Sequence, residues 1–213
     1  ELPDDTVYTY VHKVTLADID DMGADEVTST PATSTFQGIS DSGLETEVRG
    51  ALFKWEGDIT TADMASLTTL IAIDSNINDL TGLEFAINLT ELDLSGNGVS
   101  NLMPLGSLFN LNTLKLDGNP MANSDLSPLA LLPKLSKLYL GGNGVSDISQ
   151  LSLLTELTVL GLNGNGINDI SPLGSLTSLE EINLHANQIS DISALQYLTS
   201  LTYLSLVSNQ ISD

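Results

Sequence analysis

The sequence contains no cysteine and few basic residues, and both shortages exclude classes of function. Without cysteine the chain can form neither disulfide bonds nor thiolate metal sites. Six Lys and Arg residues stand against 28 Asp and Glu residues, which gives a formal net charge of −22. Because nucleic acids and anionic membrane surfaces are bound through clusters of Lys and Arg, neither is an expected partner. No apolar run reaches the ~20 residues of a membrane-spanning helix, so membrane insertion is not expected.

Candidate catalytic groups are also scarce. The only histidines are His12 and His185, and no serine motif of the nucleophile-elbow type is present. Glu91 and Asp93 are predicted to leave one strand in the same direction, ~6.5–7 Å apart, a spacing that paired carboxylates use in sugar hydrolysis. Lys115 is predicted beside Asp93, however, so an exposed ion pair explains these acids more simply. We therefore expect no enzymatic activity, and the sequence indicates no cofactor.

What the sequence does contain is one phrase repeated at a fixed interval. Residues 89–97 read LTELDLSGN, and related phrases begin at positions 111, 135, 157, 179 and 201. Their closing asparagines lie 22 residues apart, with one interval of 24, and are Asn97, Asn119, Asn143, Asn165, Asn187 and Asn209. An earlier copy at residues 67–75 keeps the register but ends on Ser75. Seven copies of L-x-x-L-x-L-x-x-N in step are the signature of a leucine-rich repeat solenoid.

Each repeat is predicted to contribute one short strand and one stretch of 3-10 helix. Apolar residues alternate around residues 92–94, as in a strand, and then recur at every third position, which suits 3-10 turns. A single repeat cannot bury its apolar side alone, so neighbouring repeats must stack and share a continuous core. We therefore predict an α/β leucine-rich repeat solenoid with a parallel sheet on its concave face and 3-10 turns on its convex face.

Two details of the repeat predict local structure. The asparagine amide can bond main-chain groups of the loop that leaves each strand, which would otherwise be unsatisfied, so we interpret the asparagines as structural. Between Asn119 and Asn143 the repeat has two extra residues, so a loop is predicted to bulge from one edge.

The chain before the repeats divides into two predicted segments. Residues 1–40 form an extended arm or linker with one strand candidate, and residues 41–66 form a helical cap over the open end of the core. The repeats then fill residues 67–213, with the last copy incomplete. Trp55 falls on the apolar stripe of the cap helix and is predicted to be a core residue. In the arm, the clustered carboxylates predict a solvated acidic loop and no metal site, with a weak calcium site as the alternative, at Asp18, Asp20, Asp21 and Asp25.

The chain from about residue 41 onward resembles the bacterial internalin-like leucine-rich repeat proteins. The resemblance rests on LETEVRGAL at residues 44–52, on GDITTADMASLTTL at residues 57–70, and on the phrases NDISPL and SDISAL within later repeats. It implies a right-handed solenoid with the parallel sheet inside and 3-10 turns outside. It also implies a secreted or cell-surface protein that binds a partner through its concave face, so an extracellular or cell-surface location is expected.

Side chains that point outward from the predicted strands form three columns on the concave face, and we expect the binding site there. Exposed aromatic residues are favoured anchors for protein partners and also stack on sugar rings. The predicted partner-binding residues are Lys115, Lys137, Tyr139, Val159, Asn163, Asn183, His185 and Tyr203. The expected partner is a protein or glycan on another surface, and the expected role is adhesion.

Two alternatives stay open from the sequence. The concave sheet could be merely solvated, because exposed polar side chains need no partner. The chain could also be a structural subunit that assembles head-to-tail through its N-terminal arm and an open C-terminal end. Truncation of a longer chain accounts for such an end equally well.

Overall fold

The repeats form one continuous parallel sheet. A computed structural model describes residues 36–212 of the chain. Its seven strands lie in chain order, and each pairs in parallel with the next in the register that the repeat predicts. They are β1 (Thr69–Ile71), β2 (Glu91–Asp93), β3 (Thr113–Lys115), β4 (Lys137–Tyr139), β5 (Val159–Gly161), β6 (Glu181–Asn183) and β7 (Tyr203–Ser205). The strand candidate and the four possible calcium ligands of the N-terminal arm lie outside the described residues.

Short 3-10 helices line the convex side, as predicted. Proline at the start of three of them supplies a fixed φ angle that suits a helix beginning. The helices are Leu83–Phe85, Met103–Ser107, Ser127–Leu131, Ser149–Leu153, Ser171–Ser175 and Ser193–Tyr197. The repeat leucines and isoleucines between the two layers form one elongated core. The predicted fold, a right-handed leucine-rich repeat solenoid with a parallel concave sheet, is confirmed.

The repeat asparagines hold neighbouring repeats together through their side chains. Asn119 donates from its amide nitrogen to the carbonyl oxygens of Leu94 and Leu116, each at 2.9 Å. Its amide oxygen accepts the N–H of Val99 in the preceding repeat at 2.9 Å. Since Asn119 is buried, these bonds satisfy main-chain groups that water cannot reach. The structural interpretation of the asparagines therefore agrees with the geometry.

The two-residue insertion changes one member of this series. A loop bulges before the helix Ser127–Leu131, with Ala122 and Asn123 exposed and Met121 buried. The amide nitrogen of Asn143 meets the Met121 sulfur at 3.6 Å, where the other asparagines donate to carbonyl oxygens. Its amide oxygen still accepts the N–H of Asn119 at 2.7 Å. At the insertion, a contact between the Asn143 amide nitrogen and the buried Met121 sulfur thus takes the place of the hydrogen bonds to carbonyl oxygens.

Two α-helices close the N-terminal end of the core: α1 (Ser42–Leu52) and α2 (Thr61–Ser66). Leu44 and Val48 of α1 are fully buried against the first repeat. Asp41 caps α1 by accepting the N–H of Leu44, and the same carboxylate accepts the N–H groups of Asn78 and Asp79 in the first repeat. One side chain therefore fixes the start of the helix and docks it on the solenoid.

The prediction that Trp55 is a core residue is wrong. Helix α1 ends at Leu52, and Phe53 takes a left-handed conformation with φ of 52° that turns the chain away from the helix axis. The helical spacing that placed Trp55 on the apolar stripe therefore does not continue to it. The side chain of Trp55 is 66% exposed and lies near Gly50 on the surface of the cap.

At the other end of the described sheet, β7 has a neighbouring strand on one side only. Leu204 on this strand is 43% exposed, and Ile211 beyond it is 40% exposed. Head-to-tail assembly through this end stays a prediction.

Candidate functional site

The candidate binding surface is the outward face of the seven strands. Strand pairing aligns Lys115, Tyr139, Gly161 and Asn183 in one column, each opposite the next. The inward leucines of the same strands are buried and hold the backbone in place. Side chains on the outward face can therefore vary in type without disturbing the core. They divide into a charged half on β2–β4 and an aromatic half on β4–β7.

The charged half is built around Lys115. Its ammonium group lies 3.2 Å from a carboxylate oxygen of Asp93 and 3.8 Å from one of Glu91. The predicted ion pair is present, but the prediction that it is exposed is wrong, because Asp93 is only 4% exposed. The hydroxyl of Ser95 donates a hydrogen bond of 2.6 Å to the same carboxylate. The sequence pattern alone did not indicate this bond.

Ionisation of this cluster follows from its contacts. Burial opposes the charge on Asp93, but hydrogen bonds from Ser95 and Lys115 outweigh it, so the pKa of Asp93 lies below its ordinary value. The hydrogen bond to Asp93 raises the pKa of Lys115. Both groups are therefore held in their charged forms, and Lys115 is already occupied by acids of its own chain. This occupancy makes Lys115 a weaker candidate for contacting a partner.

Asp117 and Asn163 lie on either side of Gly141, between the two halves. A carboxylate oxygen of Asp117 accepts the N–H of Gly141 at 2.7 Å. A Cβ atom at position 141 would lie 2.7 Å from Asp117 Oδ1 and 2.8 Å from Asn163 Nδ2, so a larger residue there would displace one of these side chains. Burial raises the pKa of Asp117, and the neighbouring charge of Asp93 adds to the effect.

The aromatic half contains a shallow cavity of about 190 Å³. Gly161 forms part of its floor, and Tyr139 leans over this glycine, since a Cβ there would lie 3.1 Å from Tyr139 Cδ1. Five of the eight predicted partner-binding residues line it, namely Tyr139, Val159, Asn163, Asn183 and Tyr203. The structure thus brings these five together, while their role in binding stays a prediction.

The other three predicted residues lie outside the cavity. Lys115 is in the ion-pair cluster, whereas Lys137 and His185 are exposed beside the aromatic half. Sequence reasoning missed Glu181, which lines the cavity between Val159 and Tyr203 in its column. The signal was available, because Glu181 occupies the same repeat position as Lys137, two repeats later.

Two further observations bear on the chemistry of this part of the chain. No helix among residues 36–212 is both long enough and apolar enough to cross a bilayer. Within the same residues, no three His, Cys, Asp or Glu side chains are grouped in a way that suits a metal ion.

Comparisons with known proteins agree with this geometry. A family model described as "Leucine Rich repeats (2 copies)" matches residues 155–197. A second model, described as "Leucine Rich repeat", matches residues 86–102 and 197–213. Internalin C2 of Listeria monocytogenes is 34% identical, with a TM-score of 0.65 over 81% of this chain and 86% of that one. The chain belongs to the internalin family. Internalins of this repeat type generally bind other proteins, which fits the open concave face.

Two further solved structures are similar over a smaller share of their own length. An internalin (inlF) of Listeria monocytogenes is 31% identical over 81% of this internalin, with a TM-score of 0.67, and this internalin spans 58% of that chain. A leucine-rich repeat protein of Leptospira interrogans is 28% identical, with a TM-score of 0.60, over 64% of this chain and 36% of its own. No curated protein sequence matches this internalin.

Proposed function

We propose that the chain is a secreted or surface-displayed bacterial adhesion module that binds a protein partner through its concave face. Membership of the internalin family supports a binding role, and the concave face is the surface on which side chains vary from repeat to repeat. The partner is a protein or glycoprotein displayed on another cell.

The single observation that carries the proposal is the tyrosine-lined cavity on the concave face. Tyr139 and Tyr203 both border it, and Tyr203 is 53% exposed. Tyrosine is among the residue types that contribute most to protein interfaces, because it combines a large apolar surface with a polar hydroxyl. Paired tyrosines around a concave floor therefore favour binding over a merely solvated sheet.

The proposal is tested with one concave double variant and one convex control. Tyr139→Ala with Tyr203→Ala removes both anchors, while Tyr197→Ala removes a tyrosine that is 58% exposed on the convex helix Ser193–Tyr197. We expect the double variant to weaken binding of the labelled chain to host or neighbouring cells by more than about 2 kcal/mol. All these side chains lie outside the core, so each substitution should change unfolding free energy by only about 0.5 kcal/mol.

The outcome also distinguishes the partner class. Protease treatment of the cells should abolish binding if the partner is a protein, whereas binding that survives protease and is lost after glycosidase treatment points to a glycan. If Tyr197→Ala abolishes binding and the concave double variant does not, the concave face is not the binding surface.

A further inference from the structure

We propose that the cavity between Tyr139 and Tyr203 receives a cationic side chain, lysine or arginine, of the partner. The inference rests on the proposed function and specifies the chemistry that the same surface recognises. It follows from the size of the cavity, the nature of its walls and the single charge that lines it.

The cavity has the size of a side-chain pocket. Pockets for small-molecule ligands usually measure about 300–1,000 Å³, and this one measures about 190 Å³. It exists because Gly161, the last residue of β5, places no side chain between the larger residues of its column, Tyr139 and Asn183. A single long side chain from a partner therefore matches its volume better than an extended ligand.

Of residues 36–212, Glu181 alone brings a charged group to the wall of the cavity. Within the described residues Glu181 takes part in no salt bridge. The nearest basic residue in its column is Lys137, two strands away, or roughly 10 Å at the usual strand spacing. Lys115 is held by Asp93 and Glu91. A carboxylate with no cation of its own, on a chain with a net charge of −22, is complementary to a partner's cation.

The remaining walls also suit a cation. Tyr139 and Tyr203 line the cavity, and tyrosine rings can attract an ammonium or guanidinium group through cation–π interaction. The amide oxygen of Asn183 accepts the N–H of His185 at 3.1 Å, and its amide nitrogen faces Asn163 Oδ1 at 3.4 Å. The Asn163 oxygen thus accepts one long hydrogen bond and can accept a second one from a ligand. An anionic or wholly apolar side chain of the partner would supply no positive charge to pair with the Glu181 carboxylate.

The test uses small probes and the full chain labelled with ¹⁵N. Acetyl-arginine amide and acetyl-lysine amide are titrated while the resonances of the Gly161 amide and the Asn163 and Asn183 side chains are followed. The neutral analogue acetyl-citrulline amide and the sugars methyl glucoside and methyl galactoside are titrated in parallel. We expect saturable shifts with the two cations and no saturable shifts with the neutral analogue or the sugars.

Matched charge variants separate a specific pocket from general acidity. Glu181→Gln should weaken cation binding about threefold to tenfold, as expected for a partly exposed ion pair reinforced by aromatic contacts. Glu180→Gln removes the same charge from an exposed neighbour that does not line the cavity, and it should leave binding unchanged. Both glutamates are exposed, so neither substitution should disturb the fold.

Three results would overturn the inference. They are sugar binding at these resonances without cation binding, equal weakening by the two glutamine variants, and the absence of any saturable shift. Failure here is distinguishable from failure of the proposed function. In the former case the double tyrosine variant still loses cell binding while Glu181→Gln does not; in the latter the double tyrosine variant itself retains binding.

Discussion

Asn119 shows how much one side chain contributes to the joining of repeats. It supplies two amide donor bonds of 2.9 Å and accepts one N–H across the repeat boundary. Asn119→Ala would leave these buried main-chain groups unpaired, and each such group costs about 1–3 kcal/mol. We therefore expect the free energy of unfolding in urea to fall by at least about 2 kcal/mol.

Asn143 provides the comparison within the same chain. Its amide nitrogen reaches only the Met121 sulfur, and its oxygen accepts one N–H, so fewer groups lose a partner when it is removed. Asn143→Ala is expected to cost about half as much as Asn119→Ala, on the order of 1 kcal/mol. Equal losses for the two variants would show that the differences in bonding at the insertion do not affect stability.

Asp117 is a second residue whose environment predicts a measurable effect, this time on pH dependence. Burial raises its pKa above the ordinary value of 3.8, so the folded protein holds the proton more tightly than the unfolded chain does. Its contribution to stability is therefore present below about pH 3.8 and is lost as pH rises through the raised pKa. Asp117→Asn keeps an oxygen for the Gly141 N–H and removes the charge.

We expect Asp117→Asn to stabilise the fold at pH 7 by less than about 1 kcal/mol and to have almost no effect near pH 3. Urea unfolding at the two pH values measures this difference. Asp93→Asn is the contrasting variant, because the pKa of Asp93 is lowered and its charge is paired with Lys115. It should destabilise at pH 7, with the loss shrinking as pH falls. Destabilisation by both variants at pH 7 would contradict the assignment for Asp117.

At the scale of elements, the docking of helix α1 depends on one glycine. A Cβ atom at Gly43 would overlap the carbonyl oxygen of Ser75 in the first repeat, so the helix approaches the solenoid closely at this point. Gly43→Ala should push α1 outward and cost about 1–3 kcal/mol, measured by urea unfolding. Gly50 of the same helix has only Trp55 nearby, at 3.7 Å, so Gly50→Ala should stabilise by about 0.5–1 kcal/mol. If Gly43→Ala stabilises the protein instead, helix α1 lies farther from the Ser75 carbonyl oxygen than the structure shows.

The elements were largely predictable because the repeat imposes its own register. Once residues 89–97 were aligned with their copies, strand pairing and the outward columns followed, and the structure places them accordingly. The end of helix α1 was not predictable from spacing. Phe53 adopts a left-handed conformation that usually falls to glycine or asparagine, so no local signal marked the turn that exposes Trp55.

At the scale of the whole molecule, the position of the surface was easier to predict than its shape. The tyrosines and asparagines of the cavity could be named from the repeat, since each occupies an outward position. The burial of Asp93 could not, because it depends on how the neighbouring side chains of Ser95 and Lys115 pack over its carboxylate. Glu181 was missed although its outward position followed from the repeat. The repeat pattern predicts whether a side chain points inward or outward, whereas the burial of an outward side chain depends on the packing of neighbouring repeats.

The stacking of repeats also gives the chain a mechanical character. Each strand bonds only to the strands on either side, and the asparagine side chains join only neighbouring repeats. A molecule held at its two ends and pulled should therefore lengthen one repeat at a time. Each released repeat of 22 residues should add roughly 70–75 Å of contour length, once the strand spacing that it gives up is subtracted. Optical tweezers measure such steps directly, and a single abrupt extension of the whole chain would show that the repeats resist force as one unit. A surface attachment built in this way would yield gradually under shear, absorbing work with each repeat before contact is lost.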